Sequence, residues 1–237
     1  MRVRILTKKT IKLKEIDMKY KAVLWDMDGV LVDSEKGYNK ADAEMYKSLG
    51  LTLTIEDIAM ITGSSGTVIG PKIKAKYPHL PQSGKELCDL YNQTIFSSLK
   101  SDVHGLIDGV EGWIDRLYSM GVKMAIGSSS TSEMVYYIAE RFNLSEKLGA
   151  IVTGDDVALG KPHPDIYLTC AKKLGIPPAD CLAIEDSTNG LLSAIAAGMD
   201  CAAFLGTNIH GLDTSMATHR FESFDEASFA AVFALNS

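Results

Sequence analysis

The sequence predicts an α/β fold: a parallel-sheet core of the Rossmann-like kind, with a small α-helical domain inserted after its first strand. Three observations carry this. Apolar stretches with strand character recur at 22–25, 122–126, 150–153, 181–184 and 201–205. Helical stretches fill the later gaps, at 112–120, 132–142, 164–174 and 189–197. Strands alternating with helices at this spacing argue for right-handed crossovers and a parallel sheet. The gap between the first two strands departs from the pattern. Residues 34–105 hold helical stretches near 36–49, 55–61, 68–75 and 84–99, broken at 51–53, at 63–65 and by a turn carrying Pro78 and Pro81.

These elements divide the chain into an α/β core of residues 18–33 and 106–237 and an inserted helical cap of residues 34–105. Residues 1–17 read as a flexible basic extension. Residues 1–21 hold eight Lys or Arg against Glu15 and Asp17, so the formal charge of -6 conceals +6 here and -12 in the rest. The basic start also suits a polyanion or membrane tether, but it lacks the apolar core of a secretory signal. No run approaches the roughly 18–20 apolar residues of a membrane span. The net acidity gives no electrostatic case for nucleic acid. Cys88, Cys170, Cys181 and Cys201 are scattered without metal-ligand spacing, as suits reduced thiols in the cytoplasm.

Chemistry concentrates at the ends of the strands. The first apolar run, Val23-Leu24-Trp25, stops in Asp26-Met27-Asp28-Gly29. Desolvated carboxylates cost several kcal/mol unless something compensates. At the carboxyl edge of a parallel sheet, however, they lie where ligands bind. An ordinary strand-to-loop exit would also place Asp and Gly here. Three further polar groups follow the other strands: Ser128 after the second, Lys161 in Gly160-Lys161-Pro162 after the third, and Glu185-Asp186 after the fourth. Taken singly, Ser128 and Asp186 also suit helix capping, and Lys161 a solvated loop. Asp155 and Asp156 suit a turn, and His163 a structural position.

In order and spacing these groups resemble the haloacid dehalogenase superfamily of phosphohydrolases. Asp26-Met27-Asp28-Gly29-Val30-Leu31 is similar to its first motif, Ser128 to its second, Lys161 to its third and Glu185-Asp186 to its fourth. Within the superfamily the phosphatase and β-phosphoglucomutase branch is nearest, through Asp33-Ser34-Glu35, Asp108-Gly109-Val110 and Ala197-Gly198-Met199. The resemblance implies a Mg²⁺-dependent phosphatase acting on a small phosphorylated metabolite, a sugar, polyol or nucleoside monophosphate, through an aspartyl-phosphate. Asp26 would attack, Asp28 would act as acid and base, and Ser128 and Lys161 would hold the phosphoryl group. The implied metal ligands are Asp26, the Asp28 carbonyl and Asp186, with Glu185 acting through water.

The substrate contacts expected in and around the cap are Glu35, Tyr38, Ser64, Ser65 and Lys72, together with Ser129. A monomer is expected, with no nucleic-acid or membrane partner. Two alternatives belong to other classes. A β-phosphoglucomutase-type mutase would return the phosphoryl group to a sugar hydroxyl, but that branch tends to carry a His where this chain has Tyr38 and a cap Arg where 62–67 has none. A non-catalytic phosphate-binding regulator should lack one of the four motifs.

Overall fold

The computed structural model describes residues 18–61, 66, 68–207 and 213–233; the expected extension at 1–17 lies outside them. Six strands form the sheet: β1 (Ala22–Trp25), β2 (Lys123–Gly127), β3 (Ala150–Val152), β4 (Cys181–Glu185), β5 (Asp200–Phe204) and β6 (His219–Phe221). Their order is β3-β2-β1-β4-β5-β6, and every pairing is parallel. The chain therefore winds outward from β1 to β3, then returns to β1 and winds the other way. Such a reversal of strand order is the topological switch point at which α/β sheets bind ligands.

Strand β1 is buried along its whole length, as a central strand covered on both faces must be. Its side chains alternate between two cores. Val23 and Trp25 enter one cluster, with Ile114 and Phe229, and Ala22 and Leu24 enter another, with Tyr167 and Leu191. The first face is covered by α5 (Val110–Ser119), α6 (Ser132–Arg141) and α9 (Glu226–Phe233); the second is covered by α7 (Asp165–Leu174) and α8 (Thr188–Ala196).

Among the described residues between β1 and α5 lie four helices and no strand: α1 (Glu35–Ser48), α2 (Ile55–Ile61), α3 (Ile69–Lys76) and α4 (Gly84–Asp102). Helix α4 packs against both α1 and α3. Its start is set by a capping box, in which the Ser83 hydroxyl accepts from Glu86 N–H and the Glu86 carboxylate accepts from Ser83 N–H. The five expected strands occur within one residue of their positions. Strand β6 and helix α9 have no counterpart in the sequence reading. All four cysteines are buried, and none is in a disulfide. Among the described residues no helix is long and apolar enough to cross a membrane.

Candidate active site

The register brings the polar groups together. Trp25 pairs with Ile126 on one side and with Ile184 on the other, so β1, β2 and β4 end level. The next residues of each strand, Asp26, then Gly127 and Ser128, then Glu185 and Asp186, emerge at one edge. The Asp26 N–H still donates to Ile184 O at 3.0 Å, so the backbone holds its carboxylate beside the end of β4.

Lys161 ties this edge together. Its ammonium donates to Asp26 Oδ1 at 2.6 Å and to Glu185 Oε1 at 2.5 Å. Its side chain is only 6% exposed, and Glu185 is fully buried, so both charges lean on geometry instead of water. The Tyr167 hydroxyl, from α7, donates to the same Glu185 oxygen at 2.5 Å, and the Ser187 hydroxyl donates to Oε2 at 3.2 Å. Gly190 makes room for this carboxylate: a Cβ there would lie 1.9 Å from Glu185 Cδ. Burial lowers the proton affinity of Lys161, but the carboxylates of Asp26 and Glu185 outweigh it, and the net shift is upward.

Asp28 sits in a different setting. Its Oδ1 accepts from the Ser34 and Tyr38 hydroxyls, and its Oδ2 accepts from the Ser130 hydroxyl, each at 2.7 Å. Asp26 thus faces an ammonium, and Asp28 faces three neutral donors. Gly29 follows with φ +79°, where a Cβ would stand 1.8 Å from Asp186 Oδ2. Only glycine lets the loop turn and pass so close to that carboxylate. The Thr207 hydroxyl donates to Gly29 O at 2.7 Å and closes the loop from the β5 side.

One oxygen from each of Asp26, Glu185 and Asp186 lies within 4.8 Å of the others. Three carboxylates therefore gather beside the Lys161 ammonium, which pairs with two of them. Burial, then the neighbouring carboxylates, push the Asp26 carboxyl up to about 8 and that of Asp186 up to about 9. An all-oxygen donor set with surplus negative charge suits a hard divalent cation.

The alternatives left open by the sequence resolve locally. Ser128 does not cap α6, whose N-cap is Thr131; it is buried, and its hydroxyl accepts from Ser130 N–H at 3.0 Å. The cap of α8 is Ser187, not Asp186. Asp155 accepts from Ser132 N–H at the start of α6, and Asp156 closes its own turn onto Thr153, so both serve the backbone. His163 is exposed, and its carbonyl accepts from the Ser193 hydroxyl.

A cavity of about 300 Å³ opens at this edge, between the strand ends and α1 and α4, and Ser129, Ser130, Met134 and Asn189 are among its walls. Tyr38 lines it, but its hydroxyl is engaged with Asp28. Lys72 is exposed on α3 and is not among the residues that line the cavity; its helical neighbours Ile69 and Ile73 take the buried positions. The Glu35 side chain, Ser64 and Ser65 lie outside the described residues. Sequence reading missed Ser130, Ser34 and Thr207. The run Ser128-Ser129-Ser130 carried a signal, but nothing in it shows which hydroxyl reaches which carboxylate.

The model of the haloacid dehalogenase-like hydrolase family matches residues 23–204. The chain belongs to that family. Hexitol phosphatase B of Escherichia coli (strain K12) is 29% identical over 180 residues, covering 75% of this chain and 80% of that protein. Fructose-1-phosphate phosphatase YqaB of the same organism is 30% identical over 184 residues, covering 77% and 95%. The crystal structure of CbbY from Rhodobacter sphaeroides in complex with phosphate superposes with a TM-score of 0.75 at 24% identity, covering 87% of this chain and 96% of the other. The protein is an enzyme of this family, a phosphoric monoester hydrolase.

Proposed function

We propose that the protein is a Mg²⁺-dependent phosphatase of sugar or polyol monophosphates that works through an aspartyl-phosphate. The observation that carries this is the division of labour between two carboxylates two residues apart: Asp26 is held by an ammonium, and Asp28 is held by three hydroxyls. A phosphate monoester repels nucleophiles, so a catalyst must offset charge and align its attacker. Lys161 opposes the burial that raises the Asp26 carboxyl, a bound cation would favour its ionised form further, and the ammonium fixes one of its oxygens, leaving the other to attack phosphorus. The P–O bond to the leaving alcohol breaks as the Asp26–phosphorus bond forms, and Asp28 delivers the proton to the departing oxygen. Asp28 then takes a proton from the water that hydrolyses the acyl phosphate, which restores Asp26 and releases phosphate.

Mg²⁺ would be held by Asp26, Asp186 and the Asp28 carbonyl, with Glu185 behind, and when bound it would offset the negative charge shared by these carboxylates and the phosphoryl group. Ser128, buried at the end of β2, would donate to a phosphoryl oxygen, and Ser129 at the cavity wall would orient the substrate. Helices α1–α4 would act as the cap that excludes water and reads the leaving group, while the strands and α5–α9 form the catalytic core. The polyol and sugar specificity is supported by the activities named for the two curated relatives. A panel of hexitol, sugar and nucleoside monophosphates, assayed with Mg²⁺ and with excess EDTA, tests this reading. Metal-dependent phosphate release focused on sugar and polyol esters is expected; equal release under EDTA would contradict it.

A further inference from the structure

The phosphatase reading, on which this inference rests, leaves one charged group of the cavity without a task. Asp42 stands on α1 one turn beyond Tyr38, so the two share a helix face, and both line the cavity. It is 8% exposed, and its Oδ1 has no hydrogen-bond partner. Burial pushes its carboxyl up to about 6, still ionised in the main at neutral pH. A carboxylate withdrawn from water with an unmet acceptor destabilises the fold. Asp57 on α2 shows what this chain does with a structural buried acid: it surrounds it with Thr54, Tyr77 and Lys76 as donors. Asp42 has no such set.

The rest of the wall is amide and hydroxyl in character. Asn39, Asn92, Tyr91 and Asn189 line it, and among the described lining residues there is no Lys, Arg or His. A second phosphate or a carboxylate on the substrate would therefore meet an anion and no counter-charge. A neutral chain of hydroxyls would bring the donors that an acceptor-only carboxylate needs.

We propose that Asp42 is a specificity-determining residue that accepts hydrogen bonds from hydroxyls at the unphosphorylated end of a neutral polyol or sugar monophosphate, and repels substrates carrying a second anion there. A site built to bond a substrate hydroxyl discriminates strongly against analogues that lack it. The test compares wild type with Asp42→Asn on a hexitol monophosphate, fructose 1,6-bisphosphate, phosphoglycolate and p-nitrophenyl phosphate. The variant is expected to lose about 30-fold in kcat/KM on the hexitol ester, mainly through KM. It should gain on the two dianionic-tailed or carboxylated substrates and change little on p-nitrophenyl phosphate. Its melting temperature should rise, since an unpartnered buried charge is gone; a purely structural Asp42 would lower it. An unchanged preference among the four substrates, or an equal loss on all of them, overturns the inference alone. No phosphate release by wild type from any of them overturns the phosphatase reading and this inference with it.

Discussion

The Tyr38 hydroxyl donates to Asp28 Oδ1 at 2.7 Å. This single bond joins the first helix of the insertion to the acid at the end of β1, so the position of the helical layer is coupled to the orientation of Asp28. Tyr38→Phe removes the donor and little volume. Turnover should fall about tenfold, the equivalent of some 1.4 kcal/mol, with a smaller change in KM. Steady-state kinetics on a polyol monophosphate check this; unaltered kcat would mean that Ser34 and Ser130 suffice.

Lys161 bridges two carboxylates in a nearly dry setting. Lys161→Met leaves Asp26 and Glu185 without their cation, and breaking a buried ion pair from one side costs about 3 kcal/mol or more. Activity should drop on the order of 10³-fold, as expected when a charge-stabilising group is lost. Thermal unfolding and turnover measured together check both parts. A variant that melts like wild type would show that the bridge adds nothing to stability.

At Gly29 the argument is steric. Gly29→Ala imposes a strain of about 1–2 kcal/mol at φ +79° and drives a methyl group into Asp186. The expected outcome is a modest fall in melting temperature and a loss of activity far larger than that fall explains. Gly121, at φ +76° with nothing near its would-be Cβ, is the control: Gly121→Ala should share the strain and keep the activity.

These sites differ in how far the sequence disclosed them. Asp26 and Asp186 drew notice because they follow apolar strands, and parallel pairing fixes where strand ends lie; Lys161, in the loop between β3 and α7, was singled out by its place in the family-like order of motifs. The hydroxyls were not, since Ser34, Ser130 and Thr207 are residue types that loops use everywhere, and only the folded geometry puts each beside a carboxylate. Asp42 was hidden for the opposite reason: an acid on an amphipathic helix reads as a solvated face until packing buries it. Strand β6 escaped notice because three residues, His219-Arg220-Phe221, carry no measurable alternation. Helix α9 has apolar residues around most of its circumference and so shows little periodicity.

Asp57 gives a pH prediction in the helical layer. Burial pushes its carboxyl upward, but Lys76, Thr54 and Tyr77 outweigh this and hold it below the usual carboxylate range. A folded-state pKa below the unfolded one adds stability that is present above about pH 4 and is lost as pH falls through and below that value. Asp57→Asn should cost about 2 kcal/mol at neutral pH and flatten the loss of stability on acidification. Urea denaturation at pH 7 and pH 3 checks it; parallel losses in the two proteins would refute the assignment.

The central claim is that Asp26 attacks phosphorus. Asp26→Asn keeps the size of the side chain and its hydrogen bond to Lys161 but removes the nucleophile, so the decisive measurement is its rate of phosphate release from a wild-type substrate, with circular dichroism to confirm the fold. The account predicts a well-folded protein with turnover at least 10³-fold below wild type. A folded variant that still releases phosphate near the wild-type rate would contradict it.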